Sequence, residues 1–289
     1  MRRKRALITG ASSGIGLAFA HHCARRGMDV VLVARRQERL RALAKELAEG
    51  HSITATVEVA DLADPGAPAQ IESSLAEAGL EIDTLINNAG YGLAGSFLLH
   101  KWEVHQRFLQ VMLHSVCELT HRLLPAMIER GHGRVIIVSS VAGLLPGTAG
   151  HTLYAAVKAA LNLFVESLAL EQGRSDVHVT ALCPGFTWSE FHDVNGTRER
   201  VSKLPRWMWL DAERVAGEGL AACERGDTYC IPGIVYRALS LLPRLIPFRL
   251  SQEISRRRGG AFRDPKGAIS SGQKIPAGET DGNEEEGQK

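Results

Sequence analysis

Short hydrophobic runs alternate with amphipathic stretches over the first two-thirds of the chain. Six of the runs predict strands, at residues 6–9, 30–33, 55–59, 84–87, 135–138 and 178–183. The stretches between them place hydrophobic residues every three or four positions and predict helices, at residues 14–26, 37–49, 67–78, 102–129 and 152–171. Pro125 is a point at which the longest helix is expected to end or kink. Because continuous hydrophobic strands alternate with helices, we expect an α/β fold with a parallel sheet covered on both faces.

Several polar or glycine-containing segments come directly after predicted strands. They are residues 9–16, Asn87, Ser140 and the pair Pro184-Gly185. Parallel sheets of this kind bind ligands beyond the carboxyl ends of their strands. We therefore expect these distant segments to meet in one crevice.

The pattern changes after Gly185. Residues 186–210 contain three tryptophans but little periodicity, so we expect a long loop that can act as a substrate lid. Asp211 is a suitable N-cap for a helix to residue 224, and residues 228–231 are a candidate last strand. From residue 265 the chain is rich in Gly, Ser, Lys and Glu, which predicts a disordered tail. We divide the chain into a single domain, a hydrophobic and basic extension, and this tail, at residues 1–235, 236–264 and 265–289.

Composition and charge narrow the class of protein. The chain has 289 residues, of which 45% are hydrophobic and 23% charged, as expected for a globular core. A net charge of +2 gives no reason to expect a nucleic-acid surface. The five cysteines form no CxxC pair, which predicts reduced thiols in a cytoplasmic protein. The basic N-terminus lacks the features of a signal peptide, and no hydrophobic run is long enough to span a bilayer.

The segment Thr9-Gly10-Ala11-Ser12-Ser13-Gly14-Ile15-Gly16 follows a predicted strand and opens a predicted helix. Glycines allow the backbone to approach a pyrophosphate, and a helix N-terminus attracts its charge. The glycine spacing differs from the general G-x-G-x-x-G motif, so in isolation a tight turn without a ligand remains an equal alternative.

Tyr154 and Lys158 are four residues apart and share one helix face. A free tyrosine titrates near pH 10, but an adjacent ammonium favours the phenolate and lowers that pKa. Tyr154 can then act as general acid to a carbonyl or general base to an alcohol. Together with a dinucleotide loop and Ser140, this pair predicts reversible hydride transfer to a carbonyl.

Six segments, in this order, are similar to motifs of the short-chain dehydrogenase/reductase family. They are the glycine loop, Asp61-Leu62, Asn87-Asn88-Ala89-Gly90, Ser140, Tyr154-x-x-x-Lys158 and Pro184-Gly185-Phe186-Thr187, and they cover roughly residues 5–235. The resemblance implies a Rossmann-like, doubly wound sheet of seven parallel strands and NAD(P)-dependent oxidoreduction. It also implies a homodimer or homotetramer built on the helices at residues 102–129 and 152–171.

The same resemblance implies roles for individual residues. Asp61 would bond the adenine, residues 87–90 would lie along the cofactor, and Thr187 would meet the nicotinamide carboxamide. Lys158 would bond the nicotinamide ribose as well as tuning Tyr154, and Ser140 would hold the substrate oxygen. The candidate cofactor-binding residues are Gly10, Ser12, Ser13, Gly14, Ile15, Gly16, Arg35, Arg36, Asp61, Leu62, Asn87, Ala89, Gly90, Tyr154, Lys158, Pro184, Gly185 and Thr187, and no metal site is expected.

The end of the second strand indicates which dinucleotide is used. NAD-binding sheets place an acid there for the ribose 2′-hydroxyl, whereas NADP-binding sheets place an arginine nearby. Here the strand is followed by Arg35 and Arg36, with no acid. Arginine grips a phosphate with two hydrogen bonds, so we predict NADP(H) with Arg35 as the main contact. The alternative is that both arginines form only a solvated start to the next helix.

Two departures from the family pattern affect the expected activity. Met112 stands where the family usually has an asparagine that supports a water-mediated proton relay to the lysine. A methionine cannot replace that hydrogen bonding, so the relay is weakened, rerouted through His114, or carried by backbone and water. Ser140 lies fourteen residues before Tyr154, where the family spacing is usually thirteen, which makes Ser139 the fallback for the catalytic serine.

Residues 234–250 mix hydrophobic residues with arginines, and three more arginines follow at positions 256–258. This segment fits a flap over the substrate, a subunit contact, or a peripheral membrane contact through residues 234–258. Pro243 and Pro247 argue against one continuous helix.

The sequence as a whole predicts an NADPH-dependent carbonyl reductase, or an alcohol dehydrogenase in the reverse direction. The tryptophans and the hydrophobic extension favour an apolar ketone, aldehyde, acyl or sterol-like substrate. One alternative is an NADP(H)-binding regulatory or scaffold protein with little turnover, which Met112 favours. An epimerase or dehydratase is the other, and it lacks support because the chain has no long second domain.

Overall fold

A computed structural model describes residues 2–93, 95–173, 175–190 and 205–245 of the chain. Seven parallel strands form one sheet in the order β3-β2-β1-β4-β5-β6-β7. The strands are β1 Arg5–Thr9, β2 Asp29–Ala34, β3 Ala55–Val59, β4 Thr84–Asn87, β5 Gly133–Val138, β6 Val177–Leu182 and β7 Tyr229–Cys230. The predicted doubly wound, Rossmann-like α/β fold is confirmed.

Helices cover both faces of this sheet. They are α1 Gly14–Arg25, α2 Gln37–His51, α3 Ala67–Glu77, α4 Trp102–Leu109, α5 Ser115–Glu129, α6 Thr152–Gln172, α7 Ala212–Arg225 and α8 Ile234–Leu245. One hydrophobic core lies under α1, α2 and α7, and a second lies under α3, α5 and α6. The central strands are buried on both sides, which is why their sequences are continuously hydrophobic. Among the described helices, α6 alone has the length and composition to cross a membrane, a property that core helices also show.

The helix predicted at residues 102–129 is interrupted in the structure, but not at the predicted position. It does not end at Pro125, because α5 continues to Glu129 with the proline inside it. The interruption lies at residues 110–114, where one wider π turn separates α4 from α5. No glycine or proline marks that turn in the sequence. Met112 lies in it, and such turns are frequent at functional sites.

Helix α8 crosses the domain boundary predicted at residue 235. Its Tyr236 is buried in the core under α1 and α7, and the helix runs through Pro243. The rest of the proposed extension, the tail, and residues 191–204 of the proposed lid lie outside the described residues.

Sheet topology fixes the place of the crevice. Strand order runs from β1 outwards to β3 on one side and from β4 to β7 on the other. The chain therefore changes direction between β1 and β4, which pair directly. In doubly wound sheets the ligand crevice opens at this reversal, beyond the carboxyl ends of the strands.

Candidate active site

The glycine loop makes the tight turn from β1 into α1. Gly10 and Gly14 have φ angles of +68° and +57°, a region that residues with side chains rarely adopt. A Cβ on Gly16 would lie 2.3 Å from the carbonyl oxygen of Gly10, so only glycine fits there. The start of α1 therefore packs closely on the end of β1, and its N-cap Ser13 makes no side-chain hydrogen bond to the first backbone N–H groups of the helix. Such N–H groups at a helix start can bind an anion.

Thr9 and Asn88 fasten this loop to the segment after β4. The Thr9 hydroxyl oxygen accepts hydrogen bonds from the backbone N–H groups of Asn88 (2.9 Å) and Ala89 (3.0 Å). The Asn88 amide returns a bond of 2.9 Å to the carbonyl of Thr9. Asn88 was expected to lie along the cofactor as part of residues 87–90, but its role in holding the glycine loop was not predicted. These bonds hold the glycine loop and the segment after β4 together at the crevice.

The predicted residues after β3 and β4 have different surroundings. Asn87 is buried, and its side-chain amide donates to the Thr120 hydroxyl on α5 at 3.0 Å. Ala89 is half-buried and Gly90 is exposed. Leu62 packs in the core below α3 and α5.

Asp61 lies after β3 at the edge of the crevice. One of its carboxylate oxygens accepts from the Ala63 backbone N–H at 3.0 Å. The other pairs with the Arg107 guanidinium of α4 at 2.6 Å. An adenine amino group would share this carboxylate with Arg107.

Arg35 and Arg36 are both exposed after β2. The Arg36 guanidinium bonds the hydroxyls of Ser12 and Ser13, each at 2.9 Å, and the carboxylate of Glu190 at 2.8 Å. Arg36 therefore already bridges strand β2 and the glycine loop. Glu190, which comes from the segment after Thr187, was not predicted as part of the site, because no sequence motif links it to residue 36.

Tyr154 and Lys158 lie on one face of α6, as predicted. The Lys158 Nζ is 5.8 Å from the centre of the Tyr154 ring. The same nitrogen donates to the carbonyl oxygen of Val138 at the end of β5, at 2.8 Å. Lys158 is buried, and burial lowers the pKa of its ammonium to about 8, opposed by the nearby Cys183. The cation is therefore still present at neutral pH, next to the tyrosine.

Ser140 and Ser139 point to different neighbours. The Ser139 hydroxyl donates to the carbonyl of Lys158 at 3.0 Å and so ties β5 to α6. The Ser140 oxygen accepts from the Ala142 backbone N–H at 3.1 Å and caps the short turn Val141–Gly143. Gly143 lets that turn pack on α6, because a Cβ there would lie 2.5 Å from the Lys158 carbonyl carbon. Ser139 is therefore tied to the backbone of α6, whereas Ser140 caps the turn after β5 and lies against Pro184.

The segment after β6 is held by α8. A Cβ on Gly185 would lie 2.0 Å from the Tyr236 ring, and the Tyr236 hydroxyl accepts from the Phe186 backbone N–H at 3.1 Å. Thr187 is buried and donates to the carbonyl of Gly185 at 3.1 Å. Pro184 is buried beside them, and its carbonyl lies 3.5 Å from the Ser140 hydroxyl.

The two described ends of the proposed lid are joined. Trp188 and Leu210 share a backbone hydrogen bond of 3.0 Å, and Thr187 bridges to Leu210. The Trp188 and Trp209 rings stack with their centres 4.0 Å apart. The tryptophans of these ends therefore pack on one another and on the glycine-loop side of the site.

A small cavity of about 20 Å³ lies beside Tyr154. Its walls combine hydrophobic side chains with three histidines, among them Leu93, Phe97, Phe108, His100, His105 and His151. His151 lies with its ring centre 6.2 Å from that of Tyr154. These histidines were not among the predicted site residues, and they come from two distant parts of the chain, residues 100–105 and His151.

Met112 occupies a buried position between the crevice and the helix layer. Its sulfur accepts from the Tyr91 backbone N–H at 3.2 Å. The sulfur is also so close to Gly90 that a Cβ there would lie 2.8 Å from it. His114 is exposed and pairs with Gln110 at 3.2 Å, so the structure gives no support to a relay through His114. Within the described part of the chain, no cluster of His, Cys, Asp and Glu side chains is suited to a metal ion.

The chain was compared with known proteins. The family model "short chain dehydrogenase" matches residues 4–199. Oxidoreductase UcpA from Escherichia coli (strain K12) is 39% identical over 184 residues, which cover 63% of this chain and 69% of UcpA.

Two solved structures are similar over most of their length. A short-chain dehydrogenase from Sphingobium yanoikuyae in complex with NADPH has 32% identity and a TM-score of 0.75, covering 83% of this chain and 93% of that one. The bulky-bulky ketone specific alcohol dehydrogenase from Comamonas testosteroni has 30% identity and a TM-score of 0.72, covering 88% and 95%.

Proposed function

This chain belongs to the short-chain dehydrogenase/reductase family and is an oxidoreductase, and from that premise we propose that it reduces apolar ketones or aldehydes with NADPH, or oxidises the corresponding alcohols. The observation that carries the proposal is the pair on α6. Lys158 is a buried cation beside Tyr154, at the end of the sheet where the glycine loop opens. A buried lysine whose pKa is lowered to about 8 is unusual outside functional sites.

The residues around the crevice fit a dinucleotide phosphate. The glycine loop gives backbone N–H groups without Cβ atoms in the way, as a pyrophosphate needs. Arg35 and Arg36 supply guanidinium groups, and Ser12 and Ser13 supply hydroxyls, for a ribose 2′-phosphate. The NADPH complex of the Sphingobium relative supports the same cofactor. Asp61, Ala89, Gly90 and Thr187 would complete the site.

The acid–base step needs three side chains. Bound NADPH would supply a hydride to the carbonyl carbon. Tyr154 would donate a proton to the carbonyl oxygen, and Ser140 would hold that oxygen by a hydrogen bond. Lys158 would keep its charge at neutral pH and so stabilise the phenolate that Tyr154 becomes.

The proton that Tyr154 loses must be replaced from solvent. Met112 cannot pass it on, because its thioether carries no proton and already accepts from Tyr91. The Val138 carbonyl accepts from Lys158, so the chain offers backbone acceptors at this point. We propose that water along this backbone, rather than a side chain at position 112, returns the proton.

The substrate proposal rests on the walls beside Tyr154. The side chains of Leu93, Phe97, Phe108 and Leu153 give the surface beside Tyr154 an apolar character, with His151 as a polar neighbour. The specificity of the Comamonas relative for bulky ketones supports a substrate of the same class.

A regulatory or scaffold protein is the second candidate, favoured by the buried Met112 alone. It would bind NADPH through the same loop and turn it over little. NADPH binding without reduction of any carbonyl in a broad panel would favour this second candidate.

The cofactor assignment is tested at Arg35. Arg35→Asp places an acid where an NAD-binding sheet has one, so kcat/KM should fall for NADPH and rise for NADH. Arg41→Asp, on the exposed face of α2, is the matched control and should change neither. If Arg35→Asp still prefers NADPH, Arg35 is not the main contact.

We further propose that the protein is a cytoplasmic homodimer or homotetramer. The exposed faces of α6 support self-association, since Leu163 and Leu170 are 65% and 77% exposed. None of the five cysteines, all of them described, forms a disulfide. Sedimentation velocity of the parent and of the Leu163→Lys/Leu170→Lys variant measures the oligomeric state. A monomeric parent would contradict the proposed homodimer or homotetramer.

A further inference from the structure

Glu190 bridges two arginines at the position proposed for the cofactor's ribose phosphate. Its carboxylate oxygens accept from Arg36 at 2.8 Å and from Arg39 at 2.6 Å. The glutamate comes from the segment after β6, whereas both arginines lie at the start of α2. The ion pairs therefore connect the substrate side of the crevice with the nucleotide side.

Arg36 is fully engaged in this arrangement. Its Nε and Nη2 bond the Ser12 hydroxyl at 3.2 and 2.9 Å, and Nη2 also bonds Ser13. Only Nη1 faces an anion, and that anion is Glu190. A 2′-phosphate that used Arg36 would meet a carboxylate already in place.

The chain holds the carboxylate close to the glycine loop. Ser189 packs against Gly14, where a Cβ would lie 2.8 Å from that of Ser189. Trp188, one residue earlier, stacks on Trp209. These contacts fix the backbone on both sides of Trp188 and present Glu190 to the arginines.

We propose that Glu190 is an intramolecular competitor of the ribose 2′-phosphate and so a determinant of cofactor preference. The proposal rests on the proposed NADP(H)-dependent function. A bound 2′-phosphate replaces the carboxylate on Arg36, and the Glu190 side chain keeps only its pair with Arg39.

Replacement of the Glu190 carboxylate on Arg36 by a 2′-phosphate is energetically favourable. A phosphate group carries a charge of about −1.5 to −2 and three strong acceptor oxygens at neutral pH, whereas a carboxylate carries a single negative charge and two oxygens. The side chains of Glu190, Arg36 and Arg39 are 41%, 43% and 52% exposed, so water screens the ion pairs that must be broken. The two arginines lower the pKa of Glu190, chiefly through hydrogen bonds, so the carboxylate is charged at neutral pH.

Binding measured by isothermal titration calorimetry tests this directly. The ligands are NADPH, NADH and 2′,5′-ADP, which carries the 2′-phosphate without the nicotinamide. Glu190→Gln removes the charge and keeps the size of the side chain. We expect it to bind NADPH and 2′,5′-ADP about two- to tenfold more tightly than the parent, as two exposed ion pairs allow. NADH binding should change less than about twofold, because NADH brings no phosphate to Arg36.

Glu213→Gln is the matched control. Glu213 lines the same cleft, but its carboxylate pairs with Arg25 at 2.6 Å. Glu213→Gln changes the net charge by the same amount as Glu190→Gln and should leave the preference for NADPH over NADH unchanged.

The outcomes separate this inference from the proposed function. If the parent does not bind NADPH, the proposed function itself fails. If the parent prefers NADPH but Glu190→Gln weakens NADPH, or tightens both cofactors equally, Glu190 is not a competitor of the 2′-phosphate. The NADP(H) assignment would then stand without it.

Discussion

The chemistry of the site depends on the surroundings of single residues. Lys158 carries its charge beside Tyr154, but it is buried and has one backbone acceptor. Burial favours the neutral amine, and for that reason its pKa falls from 10.5 to about 8. A residue proposed to act as a cation is thus kept in a place where burial makes the cation costly, a common property of active sites.

The lowered pKa predicts how stability depends on pH. The unfolded chain holds the Lys158 proton more tightly than the folded protein between pH 8 and 10.5. In that range stability rises with pH, because the folded protein has already released the Lys158 proton that the unfolded chain still binds, and the rise ends above pH 10.5. Lys158→Met should therefore raise the unfolding temperature most below pH 8, and this advantage should shrink as pH approaches 10.5.

The measurement is thermal unfolding of both proteins without cofactor over that pH range. Other titrating groups are common to the two proteins, so their difference isolates Lys158. A difference that stays constant with pH would contradict a lowered pKa for this lysine.

Sequence patterns predicted some contacts of the candidate site and missed others for a physical reason. The spacing of Tyr154 and Lys158 specifies one helix face, so their meeting was predictable. The partner of Arg36 was not, because Glu190 is 154 residues away and reaches it only through the fold. The different hydroxyl partners of Ser139 and Ser140 were not predictable either, because they depend on how β5 packs against α6.

Among the elements, α8 and the segment after β6 depend on each other. The Tyr236 ring lies over Gly185, and its hydroxyl bonds Phe186 and the carbonyl of Met208. The candidate extension therefore begins with a residue that shapes the site. The strands and most helices follow from hydrophobic periodicity, but the π turn at residues 110–114 does not, since it inserts one residue without a breaker.

This packing predicts the effect of a methyl group at position 185. Gly185→Ala should destabilise the protein by about 1–3 kcal/mol, because the Cβ overlaps the Tyr236 ring. Gly147→Ala has open space around its Cβ and should change stability by less than about 0.5 kcal/mol. Chemical denaturation measures both.

A double-mutant cycle identifies the cause. In the Tyr236→Leu background the ring is gone, and Gly185→Ala should then cost much less. An equal cost in both backgrounds would show that Tyr236 is not the obstacle.

At the scale of the whole molecule, the sheet order brings the site together. β1 and β4 lie side by side, so the glycine loop and the segment at residues 87–90 meet and are fastened by Thr9 and Asn88. The alternation of strands and helices predicted this meeting. The hydrophobic residues on the outer surface were harder to predict. A hydrophobic residue in a helix can face either the core or another surface, and the sequence pattern is the same in both cases.

The exposed face of α8 permits a test of membrane contact. Ile234 and Leu241 are 80% and 56% exposed, whereas Tyr236 is buried. Removing the whole segment would therefore damage the core, and Ile234→Asp/Leu241→Asp is the better variant. If α8 contributes to a peripheral contact, sedimentation with anionic liposomes should fall in this variant. Equal sedimentation of both proteins would exclude a contribution from this face.

The most direct test of the account is turnover by the parent and by Tyr154→Phe. Both proteins are given NADPH and a panel of ketones and aldehydes of increasing size, and NADPH oxidation is followed by absorbance, with NADPH affinity measured separately. We expect the parent to reduce bulky apolar ketones and the variant to lose about 10²–10⁴-fold in kcat, as loss of a general acid predicts, while binding NADPH normally. Turnover that survives in Tyr154→Phe would contradict the assignment of Tyr154 as the proton donor, and with it the central claim.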